Sequence, residues 1–454
     1  MEKDRNKILM ESIKRLIRRK ATSHLFKIVN KTHAADLSVL FNSLSVADQR
    51  MLFDMITEKE QKGILLSELE EDIFLDFAED MDVDELADLF ESMPTDDVAD
   101  LLGRLLEEKA GAILEKMKKE GSEEVEGLLS YKDDTAGGIM VPDFIALREA
   151  TTAAQAVISL QKEYIDVEMP FYLYVVDDYD HLAGVISLRQ LVVVPPETPL
   201  KDFMTTDVFS VQTDMDQEEV ARIVARYDIL AVPVVDEKNK LVGIVTVDDV
   251  IDIFRREATE DILKMAGAGE DFVETKSVLK STRIRLPWLF ASCVGGIIAF
   301  FIIGYFEGSL NKLAYLAAFI PVIMGMGGNI GTQSSTIVVR GLATGRIHLK
   351  DFRKVVLKEL SVGFILGIVY GFLMGMVARL RYGDDASSLM LAISVGLAVV
   401  SSMSIAALVG SLVPMTFERM DIDPAIATGP FVTTAIDIIS VFFYFTLATT
   451  LIGI

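Results

Sequence analysis

Tyr174-Val-Val-Asp177, followed by Leu182-Ala-Gly184-Val-Ile-Ser187, returns without a gap 59 residues later as Pro233-Val-Val-Asp236 and Leu241-Val-Gly243-Ile-Val-Thr246. Upstream, Ile139-Met140-Val-Pro-Asp-Phe-Ile matches Phe203-Met204-Thr-Thr-Asp-Val-Phe at a spacing of 64. β-Branched runs broken by Gly and Asp predict the same order in each copy: strand, helix, strand, tight Gly-bearing turn, strand, helix. The whole pattern recurs, so residues 133–197 and 198–254 read as a tandem α/β pair.

Upstream of the pair, residues 1–132 read as helices throughout. Apolar residues recur at three and four, as in Leu86, Leu89, Phe90, Met93 and Val98, Leu101, Leu102, Leu105. Pro94-Thr95-Asp96-Asp97 punctuates the two runs as a turn with an N-cap. Phe41-Asn-Ser-Leu-Ser-Val-Ala-Asp resembles Phe90-Glu-Ser-Met-Pro-Thr-Asp-Asp, 49 residues on. Paired short helices that recur predict a small superhelical domain, whose usual role is to offer a surface.

Downstream, residues 247–269 predict one connecting helix, and then the composition changes. Residues 1–282 hold 32 Lys and Arg against 59 Asp and Glu, whereas residues 283–454 hold 12 against 9. An acidic half is joined to a charge-poor apolar half. Five apolar segments follow, roughly 286–306, 313–339, 355–378, 388–415 and 425–453, each near or above the ~20 residues that span a bilayer. The N-terminal stretch carries alternating charges and no apolar core of signal-peptide length, which predicts a cytosolic start. Counted from there, nine Lys and Arg fall in cytosolic flanks and three in external loops, as five spans require.

The acidic balance excludes a nucleic-acid partner, which needs clustered Lys and Arg, and favours a cation or plain solubility. One cysteine, Cys293, and four His exclude a disulfide framework and a Zn-type ligand set. No P-loop, redox motif or nucleophile–base pair suggests an enzyme.

Asp437 is the most informative residue, a carboxylate in the middle of the last span with no Lys or Arg in the same segment. At bilayer depth it costs about 2.5–3.5 kcal/mol, which favours a cation ligand facing a wet path over a structural Asp. In the second span, Pro321 and then Gly325-Met-Gly-Gly-Asn-Ile-Gly-Thr-Gln-Ser-Ser-Thr336 interrupt the apolar run. Irregular backbone there would line water, with Gly328, Asn329, Thr332 and Gln333 facing an ion. The other reading is close helix packing through small residues. Glu359, next to Lys358, reads as an interface residue. A hard, hydrated dication suits this set, because Mg²⁺ keeps several waters and takes one or two carboxylates.

On the connecting helix Asp249, Asp252, Glu257, Glu260 and Asp261 share about half the circumference. Asp84 and Asp88 form an i,i+4 pair upstream, and Asp96 with Asp100 fits the same pattern. A divalent ion between such faces would remove their repulsion; an ordinary solvated face is the alternative.

The repeat pair resembles tandem CBS domains, ligand-sensing modules in which Ser/Thr-x-x-Asp often holds a nucleotide ribose. Thr246-Val-Asp-Asp249 fits that motif, while the first copy has Gln190 in place of the acid. Across nearly its whole length the chain resembles the MgtE family of Mg²⁺ channels. The matching segments include Asp134-Thr-Ala-Gly-Gly, Gly243-Ile-Val-Thr-Val-Asp-Asp249, Glu257-Ala-Thr-Glu-Asp261, Pro321 to Leu342, Lys358-Glu359 and Asp423 through Asp437. That resemblance implies a multidomain membrane protein: a helical N domain, paired CBS domains, a connecting plug helix and a five-helix transmembrane domain (283–454). It implies a homodimer in the lipid bilayer of the plasma membrane, with Mg²⁺ passing at Asp437 beside Gly328, Asn329, Thr332 and Thr433. It further implies closure by cytosolic Mg²⁺ bound at Asp84, Asp88, Glu218, Asp228, Asp249, Asp252, Glu257, Glu260 and Asp261. ATP at Thr246 is a further implied partner. The alternatives are a carrier of Mn²⁺ or Co²⁺, and a membrane-anchored nucleotide sensor that does not conduct. Gly331-Thr332-Gln333 departs from the family's Gly-Asn-Gln, and Gly429 and Thr433 stand where Asn and Ala can occur.

Overall fold

The computed structural model describes residues 2–162, 171–267, 278–312, 314–383, 386–420, 422–427 and 429–452. The chain divides into two compact units, Met1–Arg255 and Arg256–Ile454.

In the first unit, helix α1 (Glu2–Arg18) has 17 residues and the nine that follow, through α10 (Lys119–Leu129), have only eight to eleven. Their periodicity carries into burial: on α7 (Val83–Phe90) and α8 (Thr95–Gly103), Leu86, Phe90, Val98 and Leu101 are all at most 1% exposed. Each such side chain contributes about 1.5–3 kcal/mol by leaving water, so the stripe rather than helix propensity holds these short helices. Pro94 takes the N-cap position of α8, where the sequence suggested a polar cap; its fixed φ suits a helix entry, and no side chain caps that end.

The two repeat copies follow as expected. The first is β1 (Ala146–Arg148), α11 (Ala153–Lys162), β2 (Tyr172–Val176), β3 (Leu182–Ser187) and α12 (Leu188–Val193). The second is β4 (Val211–Gln212), α13 (Gln217–Tyr227), β5 (Ala231–Val235), β6 (Leu241–Thr246) and α14 (Val247–Met265). In each sheet the first pairing is parallel and the second antiparallel. The expected Gly-bearing turns are absent. Asp180 and Asn239 take the left-handed turn conformation, while Gly184 and Gly243 lie inside β3 and β6.

These glycines serve contact between the copies. A Cβ on Gly184 would meet Met204 Sδ at 2.7 Å, and one on Gly243 would meet Met140 Sδ at 2.7 Å. The methionine leading into each copy therefore lies on the glycine of the other, which explains why both Met and Gly recur in the repeat. Gly243→Val is expected to destabilise the first unit by about 1–3 kcal/mol through overpacking, read as a fall in thermal midpoint. A midpoint within a degree of wild type would refute this account of the contact.

The second unit holds α15 (Val278–Tyr305), α16 (Glu307–Lys312), α17 (Ile320–Ala343), α18 (Phe352–Tyr382), α19 (Ala386–Arg419) and α20 (Pro430–Ile452). Among the described residues, four helices are long and apolar enough to cross a membrane: Val278–Tyr305, Leu349–Tyr382, Ser388–Arg419 and Val432–Leu451. The 24-residue α17 packs between α19 and α20.

α17 corrects the sequence reading. It runs as continuous helix through Gly325–Thr336, and Pro321 sits in its first turn, where a missing N–H costs nothing. A Cβ on Gly327 would meet Ser402 and Ser440 at 2.6 and 2.9 Å, and one on Gly331 would meet the Ala406 carbonyl at 3.4 Å. Close packing therefore accounts for these two glycines, and no freed carbonyls arise. Glu359, expected at the interface, is instead 4% exposed inside the unit.

Candidate functional site

Asp437 lies two turns into α20, on the wall of a cavity of about 480 Å³. Thr332 of α17, Ser292 of α15, and Thr433 and Thr434 of α20 bring hydroxyl groups to the same cavity. A Cβ on Gly328 would come within 3.9 Å of Asp437 Oδ1, so the bare glycine face leaves room beside the carboxylate. Among the described residues no hydrogen bond or ion pair reaches Asp437. At roughly 30 Å³ per water, a hexahydrated ion needs about 200 Å³, well inside this volume.

One carboxylate among hydroxyls is a hard-oxygen environment that suits a dication retaining its waters. Of the sequence-predicted pore residues, Asp437, Thr332, Thr433 and Gly328 come together, whereas Asn329 is exposed on the single chain and does not line the cavity. Ser292 was missed, since nothing marks a lone hydroxyl within an apolar run; Thr434 was passed over beside Thr433, since which of two adjacent hydroxyls lines a cavity depends on packing. Among the described residues no group of three or more His, Cys, Asp or Glu forms a ready metal site.

The first unit holds the acids of the candidate sensor. Asp84 pairs with Lys116 at 2.8 Å and Asp88 with Lys59, so this i,i+4 pair is already neutralised. The acids beside Asp249 come from α8 instead. Burial pushes Asp97 up to about 6, helped by the charges of Asp100, Asp249 and Glu68. Burial likewise pushes Asp249 up to about 6, against its hydrogen bonds from Thr246 and with the charges of Asp248 and Asp100. The Asp96-Asp97-x-x-Asp100 run was legible, but which helix faced Asp249 was not.

Both groups have folded pKa values raised above their ordinary 3.8. Their contribution to stability is therefore full below that value and is lost as pH rises through about 6. Metal-free protein is expected to lose on the order of 2 kcal/mol per group between pH 4.5 and 7.5. Asp97→Asn with Asp249→Asn should flatten that slope, and millimolar Mg²⁺ at pH 7.5 should offset the loss. A wild-type thermal midpoint that rises across this window would refute it.

The remaining expected sensor residues are dispersed. Glu218 makes a 3.8 Å pair with Arg222, Asp228 ends α13 in the left-handed conformation, and Asp252 sits 3.4 Å from Arg255. Thr246 is 2% exposed and donates to Asp249, closing a cap; Ser187 and Gln190 close the matching capping box in the first copy. Glu257 lies partly exposed on α14.

In the second unit, Glu260 and Asp261 at the end of α14 come close to Asp423, which the sequence marks only as one end of a family-like segment. Lys264 bonds Glu260 and lies 2.6 Å from Asp423 Oδ2. Asp423 Oδ1 accepts from the Ala425 N–H at 2.7 Å, which fixes its side chain. Burial, followed by the Asp423 charge, raises the Asp261 pKa. Burial alone would lower Lys264, but bonds to Asp423 and Glu260 outweigh it and push it up. Met265, next along, lines the Asp437 cavity.

The chain matches three family models: the MgtE intracellular N domain over residues 32–134, the CBS domain over 136–197 and 200–256, and MgtE, described as a divalent cation transporter, over 320–447. It is 41% identical over 329 residues to the "Magnesium transporter MgtE" of Thermus thermophilus, covering 72% of each chain. The chain belongs to the MgtE family. The MgtE of Bacillus subtilis is 39% identical, over 75% of this chain and 74% of that one. The solved cytosolic domain of the Mg²⁺ channel MgtE in complex with ATP matches with a TM-score of 0.51 and 34% identity. It covers 54% of this chain and 99% of that chain. A soluble part of a magnesium transporter matches at 0.50 and 32%. The chain is thus a membrane protein whose N-terminal part is that family's intracellular domain, and a transporter rather than an enzyme.

Proposed function

We propose that this MgtE protein carries Mg²⁺ across the plasma membrane and that cytosolic Mg²⁺ closes its path. The observation that carries the reading is Asp437, a carboxylate without a partner among the described residues, on a hydroxyl-lined cavity inside the apolar unit. The named relatives, magnesium transporters alike over about three quarters of this chain, support Mg²⁺ as the ion. Five spans, with α17 as the second, place Asp437 at bilayer depth. A homodimer would double that carboxylate and enclose Thr332, Asn329 and Gln333, which the single chain leaves exposed.

Closure follows from the same chemistry. Like-charged acids held close together at Asp97, Asp100 and Asp249 repel unless a dication lies between them. The end of α14 reaches the cavity through Met265, so that helix acts as the plug. Nucleotide binding is a weaker companion reading, supported by the ATP complex of the solved relative; the Thr246 hydroxyl is here engaged by Asp249.

Mg²⁺ entry into liposomes carrying the purified protein tests the reading, with Mn²⁺, Co²⁺ and Ca²⁺ as competitors. Mg²⁺ uptake that falls as internal Mg²⁺ rises is expected. Preferred uptake of Mn²⁺ or Co²⁺ would mark a different carrier, and no flux at any internal Mg²⁺ would mark a sensor.

A further inference from the structure

Glu359 is a buried carboxylate that the cavity does not use. It stands one turn before Gly363 on an i,i+4 ridge, continued by Gly367, Gly371 and Gly375, that winds gradually around α18. The glycines are pressed onto α19. A Cβ on Gly363 would meet the Met403 carbonyl at 2.7 Å, one on Gly367 the Val400 Cα at 2.9 Å, and one on Gly375 the Ala392 carbonyl at 2.8 Å. Backbone contacts of this kind fix the rotation of α18, and with it the direction of Glu359.

Glu359 is aimed at α17, where Ser334, itself 1% exposed, donates to its Oε2 at 2.9 Å. Lys358 lies 3.5 Å from the other oxygen, but that lysine is largely exposed and its pairing is weak. α18 packs mainly on α19 and touches α17 sparingly. Apolar packing would hold that contact as well as a buried carboxylate does, so stability does not explain this residue. On α17, Ser334 lies two turns beyond Gly327 on the side packed by neighbouring helices, with Gly327 and Gly331 against α19 and α20, while Met324 and Thr332 line the cavity and Gly328 lies beside Asp437.

We propose that Glu359 is a positioning residue for ion passage: through Ser334 it sets the rotation of α17, and so the direction in which Gly328 and Thr332 face Asp437. The proposal rests on Mg²⁺ passage at Asp437. The test measures Mg²⁺ flux, and the ratio of Mg²⁺ to Ca²⁺ flux, in proteoliposomes of full-length Glu359→Ala, Glu359→Gln, Ser334→Ala and the Ala double variant. A loss of roughly 10-fold and a shifted ratio are expected for either Ala variant. The double variant should be no worse than the singles, because both remove one coupling. Glu359→Gln should retain most activity, since its amide oxygen still accepts from Ser334. A flux ratio unchanged in Ser334→Ala, or Glu359→Gln as impaired as Glu359→Ala, overturns the proposal. A wild type without Mg²⁺ flux sinks the underlying reading instead, which keeps the two failures apart.

Discussion

Asp437→Ala is expected to abolish Mg²⁺ uptake into proteoliposomes, by at least ~100-fold, in protein that still assembles. The carboxylate has no partner among the described residues, so its removal leaves no orphaned group behind. A carboxylate at bilayer depth costs about 2.5–3.5 kcal/mol, so the alanine variant should be no less stable than wild type. That separates loss of function from loss of fold. A single negative charge about 4 Å from a dication is worth about 8 kcal/mol at an effective dielectric of 20, twice the unit-charge value. Even with most of that offset by lost hydration, a hundredfold change needs only about 2.7 kcal/mol. Asp437→Asn keeps the shape and polarity but not the charge, and is expected to fail nearly as badly. Wild-type flux in the alanine variant would move the ion path away from this cavity.

What the sequence made legible follows the range over which each signal acts. The tandem repeat and the helical N-terminal domain were readable because their apolar periods act within one element, as Leu86, Phe90 and Leu101 show. Asp437 was readable because a charge in an apolar span has few explanations. Partner choice between elements was not. Asp84 and Asp88 have the same local spacing as Asp96 and Asp100, and only tertiary packing decides that α8 supplies the acids near Asp249 while Lys116 and Lys59 occupy the first pair. The glycines of α17 misled for a related reason. Gly and polar residues in a row weaken an isolated helix, yet α19 and α20 approach so closely that only glycine fits at 327 and 331. Glu359 was misplaced because its neighbour Lys358 reaches water while it does not, a difference of one helical step.

Loosening the seat of α14 is expected to free the flux from inhibition by internal Mg²⁺. Gly429 leaves space for the last turn of that helix: a Cβ there would stand 2.5 Å from the Met265 carbonyl oxygen and 3.4 Å from the Gly267 N–H nitrogen. These are backbone atoms, which cannot swing aside as a side-chain end would. Gly429→Ala therefore must lift the turn or lose the contact. Lys264 secures the same turn through Glu260 and Asp423. Its pKa is raised, so its stabilisation is full below the ordinary lysine value and is lost only as pH rises through the higher folded value. The pair therefore holds throughout the physiological window. Lys264→Met removes that cation while leaving the cavity walls untouched, and it leaves Asp423 and Glu260 to repel. Lys264→Met should conduct like wild type at low internal Mg²⁺ and about 10-fold more than wild type at the high internal Mg²⁺ that closes it; Gly429→Ala, measured against its own flux at low internal Mg²⁺, should likewise lose the inhibition. Lys264→Met is the cleaner arm, because Gly429 also lines the cavity and its alanine could narrow the path itself. Inhibition by internal Mg²⁺ that stays at the wild-type level in both would mean that the end of α14 is not what closes the path.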